Sequence, residues 1–197
     1  MGDIKATLPD AMRVAISRAI AGIHTCLPGK IEKYDHEKQM ASVKPLIKKF
    51  YLDNKTESLP VIVNVPVIFP RTANFSFTHP IEEGDLVLLL FCERSLEKYL
   101  AEGGEQEPGD RRKHDLTDAI AIPGLYPFSE PSEADNNEDV LIKFHEAELR
   151  IKPDGNFYMK GDLIVEGDVV ADDVSLKTHI HSGVETGGGV SGPPVVI

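Results

Sequence analysis

Apolar residues open the chain at helical spacing. Met12, Ala15, Ile16, Ala19, Ile20 and Ile23 recur three and four residues apart, Arg13 and Arg18 lie on the other side, and Asp10 stands where an N-cap belongs. The pattern predicts an amphipathic helix stopped by Leu27-Pro28-Gly29. Its one-sided stripe must pack on something, either the body of its own chain or a neighbouring protein. From Gly29 to Ile47 charged residues separate Ile31, Tyr34, Met40, Val43 and Leu46. Asp35-His36-Glu37-Lys38 reads as the turn between two strands. Residues 61–70 are rich in β-branched side chains, but Pro60, Pro66 and Pro70 confine them to a sheet edge or to breaks between short strands. Phe75 and Phe77 alternate with polar neighbours, and Gly84-Asp85 turns into an apolar run at 86–91, read as a buried strand. Residues 96–101 predict a helical turn, 103–110 a polar loop and 118–123 a further apolar piece, with Gly124-Leu125-Tyr126-Pro127 closing the unit. Short strands punctuated by Gly and Pro predict a small β-barrel of OB type.

The style changes beyond residue 139. Residues 129–139 are acidic and polar with one proline, the composition of a linker. Strand-like pieces follow at 140–144, 147–151, 155–159, 162–165 and 168–170, with turn residues between them. Gly161-Asp162-Leu163-Ile164-Val165-Glu166 and Gly167-Asp168-Val169-Val170-Ala171-Asp172 are a six-residue internal repeat. A repeat this short buries its apolar face only by stacking or by winding with copies of itself. A single-chain solenoid is disfavoured, because fewer than about 60 residues remain to build it. The expectation is an intertwined β-helix in which three chains share one core.

Composition narrows the function classes. The chain has 197 residues, of which 41% are hydrophobic, enough to bury a core. Aromatics are 7% with no Trp, which argues against a base-stacking platform. The net charge of -11 disfavours both nucleic acid and anionic lipid as partners. Cys26 and Cys92 lack metal spacing and read as two buried small side chains. Residues 1–10 lack the basic and apolar regions of a secretory signal. No window approaches the ~18 apolar residues of a spanning helix. The expectation is a chain made and folded in a cytoplasm.

The sharpest candidate site is Thr178-His179-Ile180-His181-Ser182-Gly183. On an extended chain, His179 and His181 point the same way, because side chains alternate faces. Around a threefold axis the pair becomes six imidazoles, which suit an octahedral first-row metal such as iron(II) better than tetrahedral zinc. After it come Gly187-Gly188-Gly189 and Gly192-Pro193-Pro194, whose composition reads either as a disordered tail or as a compact tip where glycine lets three backbones approach, capped by Val195-Val196-Ile197. No hydrolase constellation stands out: Ser95 lacks a Gly-x-Ser-x-Gly context. Glu82-Glu83 and Asp172-Asp173 read as solvated faces or turns. The mixed-charge run at 110–115 reads as loop salt bridging or as a docking surface.

These motifs carry a resemblance. The stretch at 60–70, then Phe77-Thr78-His79-Pro80-Ile81 and Gly84-Asp85 with 88–95, resembles the N-terminal domain of phage membrane-piercing spikes, the Mu-like baseplate spike family. The stretch at 112–119 and Ile122-Pro123-Gly124-Leu125 resemble that domain's closing motif. Family members carry glycines where this chain has Arg71-Thr72-Ala73-Asn74. The resemblance covers about residues 28–128 and, separately, the tip. It implies a mainly β chain: an N-terminal helical segment at 1–27, an OB-fold collar at 28–128, a linker at 129–139, a trimeric β-helical needle at 140–176 and a metal-binding apex at 177–197. It further implies a homotrimer with one iron ion (Fe2+) held by His179 and His181 of all three chains. The N-terminal domain would contact tail hub and baseplate proteins at the distal tip of a contractile tail. The spike would assemble in the host cytoplasm and pierce the bacterial outer membrane mechanically, without enzymatic activity or nucleic acid. Two other classes compete: a tail-associated metalloenzyme acting on the cell wall, which needs an open coordination position, and a receptor-binding fibre tip.

Overall fold

The computed structural model describes residues 7–51, 54–132, 134, 136–183 and 187. The chain divides into two compact units, Met1–Pro131 and Ser132–Ile197.

The first unit opens with helix α1, Leu8–Ala21. Its N-cap is Thr7, not Asp10. The Thr7 hydroxyl accepts from the Asp10 N–H at 3.4 Å, and the Asp10 carboxylate accepts from the Thr7 N–H at 3.1 Å, a reciprocal capping box. The helix ends at Gly22, whose N–H reaches the carbonyls of Arg18 and Ala19. Leu27-Pro28-Gly29 therefore stops nothing. It lies inside strand β1, where Pro28 needs no N–H to pair with Leu88 across the ladder.

Strands β1 (Cys26–Asp35) and β2 (Met40–Pro45) form the expected hairpin. Asp35 makes its turn: one carboxylate oxygen accepts from the N–H groups of Glu37 and Lys38, both at 3.1 Å. A small hairpin follows, β3 (Lys49–Phe50) with β4 (Thr56–Glu57). Next come β5 (Ile62–Pro66), β6 (Leu86–Phe91), a short helix α2 (Glu97–Glu102) and β7 (Ala119–Pro123). The main sheet runs β5-β2-β1-β6-β7, all neighbours antiparallel, with the proline-flanked β5 at its edge as expected. Beyond β5 the chain bridges back: Val67 pairs with Ala121, and the Ile68 N–H donates to the Ala121 carbonyl at 3.0 Å. The sheet thus curls into a partial barrel.

Its inner face is the core. Ile31, Val43, Val65, Val87, Leu89 and Ala121 are essentially inaccessible to water. The run at 86–91 is buried on one face only: Val87, Leu89 and Phe91 are buried, while Leu86, Leu88 and Leu90 are half-buried. The cysteines do not belong to the core. Cys26 is exposed and Cys92 half-exposed, because Cys26 opens β1 outside the apolar alternation. The loop at 71–76 closes on itself by an Arg71–Ser76 bridge and a Thr72 N–H to Phe75 carbonyl bond of 2.7 Å. None of its residues has a positive φ, so this turn has no need of glycine.

The second unit holds an antiparallel sheet β10-β9-β8, with β8 at Val140–Phe144, β9 at Ala147–Ile151 and β10 at Phe157–Lys160. A two-residue ladder pairs β11 (Val170–Ala171) with β12 (Val174–Ser175) around the Asp172-Asp173 turn. The expected strands at 162–165 and 168–169 are absent: a lone chain offers their backbone groups no neighbouring strand. Among the described residues of this unit none is buried. Leu163 and Leu176 are more than half exposed, and Ile164 and Ile180 are 89% and 92% exposed.

Candidate metal centre at the apex

The β11–β12 turn positions the histidine pair. Asp172 takes a positive φ of 50° there, reversing the chain so that Ser175 and Lys177 face Asp168. The Asp168 carboxylate accepts from the Ser175 hydroxyl at 2.5 Å and from the Lys177 N–H at 3.0 Å. These bonds, Ser175 first, hold its carboxyl below the ordinary carboxylate range, and the nearby His179 acts in the same direction. Ser175 in turn accepts from the Thr178 hydroxyl and N–H, at 2.8 and 3.0 Å.

His179 is oriented by this scaffold. Its Nδ1 lies 2.9 Å from the Ser175 carbonyl and 3.0 Å from the Leu176 carbonyl. Carbonyls only accept, so Nδ1 carries the hydrogen and Nε2 is the nitrogen left to ligate. This is the outer-shell arrangement typical of a metal-ligating imidazole. His181 stands beside it, ring centroids 5.0 Å apart and nearly perpendicular, while Ile180 between them projects into solvent. The two imidazoles thus share a neighbourhood, although residues 178–181 form no strand. Among the described residues no group of three or more His, Cys, Asp or Glu could hold a metal ion. Imidazole donors fit a first-row metal, whose coordination two of them do not complete. The tip residues 184–186 and 188–197, including Val195-Val196-Ile197, lie outside the described residues.

The sequence singled out the two histidines but not their support. Asp168 was legible only as part of a repeat and Ser175 not at all, with nothing to join them across seven residues. In the first unit the mixed-charge run does bridge loops. Arg112 donates through Nε and Nη2 to Asp118 at 2.7 and 3.0 Å, and also reaches Asp110, Glu97 and the Ser95 hydroxyl. Ser95 is thereby a structural acceptor.

These features meet two families. Residues 27–124 match the Phage protein Gp138 N-terminal domain, and residues 173–195 match the GpV Apex motif. No curated protein matches the chain. Both matching families are of structural phage proteins, not of enzymes. Both domains are typical of phage baseplate spike families, which residues 27–124 and 173–195 thus resemble. The chain's place is the virion tail, in an oligomeric assembly with other tail proteins. The apex motif is that of a metal-binding family.

Proposed function

We propose that the chain is the membrane-piercing tip of a contractile tail, working as a homotrimer. The carrying observation is that no apolar residue among the described residues of the second unit is buried. Val140, Ile142, Phe144, Phe157, Ile164 and Leu176 are all at least 45% exposed. Apolar surface on this scale marks an interaction surface. Winding three copies together would bury it and give residues 162–169 the strand partners they lack. Residues 28–128 would be the OB-fold collar, 129–139 the linker, 140–176 the β-helical needle and 177–197 the apex.

At the point, His179 and His181 of each copy would hold one iron(II), His179 through the Nε2 left free by its Nδ1 bond. The metal would supply a structural clamp joining three chain ends. Asp168 and Ser175 orient His179 before any metal arrives. Sheath contraction would supply the force, and the narrow needle would concentrate it on the outer membrane. Assembly would take place in the host cytoplasm. Native mass measurement with metal analysis tests the reading: a trimer with one iron supports it, and a zinc-bound monomer overturns it. A receptor-binding fibre tip would instead show saturable binding to a surface glycan.

A further inference from the structure

The Asp139 side chain is 3% exposed, in a unit whose described apolar residues all reach water. Its carboxylate accepts from the Lys152 ammonium at 2.7 Å and from Arg150 Nη1 at 3.4 Å. Asn136 supports the same turn: its side-chain carbonyl accepts from the N–H groups of Glu138 and Asp139 at 2.8 and 2.9 Å. This clasp ties the residue before β8 to the end of β9.

The sheet it closes has two unlike faces. Strand side chains alternate, so the register sets Val140, Ile151 and Phe157 in one row and Ile142, Leu149 and Met159 in the next. The opposite face carries the row Lys143, Glu148 and Lys160, with Arg150 beside it. All of these pairings are local. His145 and Glu146 alone join β8 to β9, and the β9–β10 turn is closed by the Lys152 N–H on the Asn156 carbonyl at 2.9 Å. Residues 162–169 differ, because they form no strand within the chain.

The two kinds of segment form on different timescales. Hairpins close in about 1–10 μs, whereas joining separate chains takes milliseconds or longer and depends on concentration. A three-stranded sheet with an apolar face stands at the limit of independent stability, and the charge-assisted bonds of Asp139 add to it without needing a core. The apolar face and the unpaired stretch belong to one continuous segment. The copies that supply strands to residues 162–169 are therefore the ones that cover the face.

We propose that β8–β10 forms in each chain before the chains meet, and that three such sheets, apolar faces together, nucleate the needle, which then winds from Gly161 toward the apex. In that order residues 140–160 make three separate walls, and strand pairing between copies begins only beyond them. The inference rests on the homotrimer proposed above and adds where its assembly starts.

The test refolds the full-length chain from urea at several chain concentrations. Its amides are pulse-labelled with deuterium and read peptide by peptide in a mass spectrometer, while sedimentation follows the trimer. Peptides from 140–160 should gain partial protection first, at a rate independent of concentration. Those from 162–175 should follow with the trimer, faster at higher concentration. Asp139→Asn should slow trimer formation about tenfold or more, because all three chains must hold the sheet at once. Lys98→Gln, at an exposed position of α2, should assemble as wild type. If 140–160 is protected only together with 162–175, at a concentration-dependent rate, the chains wind before any sheet forms: the inference falls and the trimer stands. A wild-type assembly rate in Asp139→Asn also overturns it. A chain that stays monomeric in sedimentation overturns both the trimer and the inference. Should Asp139→Asn not fold, the order of protection in the wild type decides alone.

Discussion

Arg112 and Asp118 form a two-pronged ion pair at the rim of the sheet, with the carboxylate 1% exposed and the guanidinium side chain 26% exposed. The Asp118 carboxylate also accepts from the Leu96 N–H at 3.1 Å, so one buried acid ties the loop at 110–115 to the start of α2. The carboxylate and the surrounding acids raise the Arg112 pKa, locking in the charge. Arg112→Ala leaves a buried carboxylate without its cation. The expected loss is about 3–5 kcal/mol in urea unfolding of the first unit. Arg112→Lys should recover little of it, because an ammonium cannot reproduce the fork.

Gly29 has no room for a side chain. A Cβ there would meet Val43 Cγ1 at 2.6 Å and Leu89 Cδ1 at 3.0 Å, both in the packed core. Gly29→Ala should cost about 1–3 kcal/mol by overpacking. A lowered urea midpoint with an unchanged slope is the expected signature.

His24 carries a pH dependence. Its pKa is pushed below the ordinary value, chiefly by burial, and its ring lies 5.5 Å from that of Phe91. Asp115 pulls the other way and Lys49 adds to the depression. With the folded pKa below the unfolded one, the unfolded chain binds more protons between the two. Its contribution to stability is therefore full above about pH 6.5 and lost as pH falls through the folded pKa. Urea midpoints between pH 7.5 and 5 should fall further for the wild type than for His24→Gln.

Replacing His179 and His181 by Ala should remove the metal while leaving the first unit folded and the chains trimeric. The apex residues should then exchange their amide hydrogens faster. Stoichiometric metal in the double variant would show that the ligands lie elsewhere.

Ile164→Asp places a charge where the proposed needle buries an 89%-exposed side chain of the single chain. Sedimentation should show the trimer weakened or lost, with circular dichroism of the first unit unchanged. An undisturbed trimer would place Ile164 outside the shared core.

Local patterns were readable wherever one chain satisfies them. The β1–β2 hairpin announced itself through Ile31 and Val43 on one face and through Asp35, whose side chain makes the turn by itself. The capping box was equally present in Thr7 and Asp10, but Asp10 drew attention as a cap in its own right. Asp118 could not be read, because its partner Arg112 and the Leu96 N–H meet it only after the sheet has folded. For the apex, the spacing of His179 and His181 placed the rings together. The Ser175 carbonyl that orients His179, in a residue braced by Asp168, depends on a turn at Asp172 with no glycine to signal it. Cys26 misled through residue type: cysteine is usually buried, yet this one begins a strand outside the apolar alternation.

A second unit without an interior of its own changes the kinetics of making the protein. The first unit has a core and can fold as each chain leaves the ribosome. In the proposed trimer the needle has no stable monomeric state, so its folding is a reaction of higher order in chain concentration. Doubling the concentration should shorten its half-time more steeply than any unimolecular step allows. Anything that gathers first units, such as a shared docking partner, would raise the local concentration of the tails and speed completion of the point.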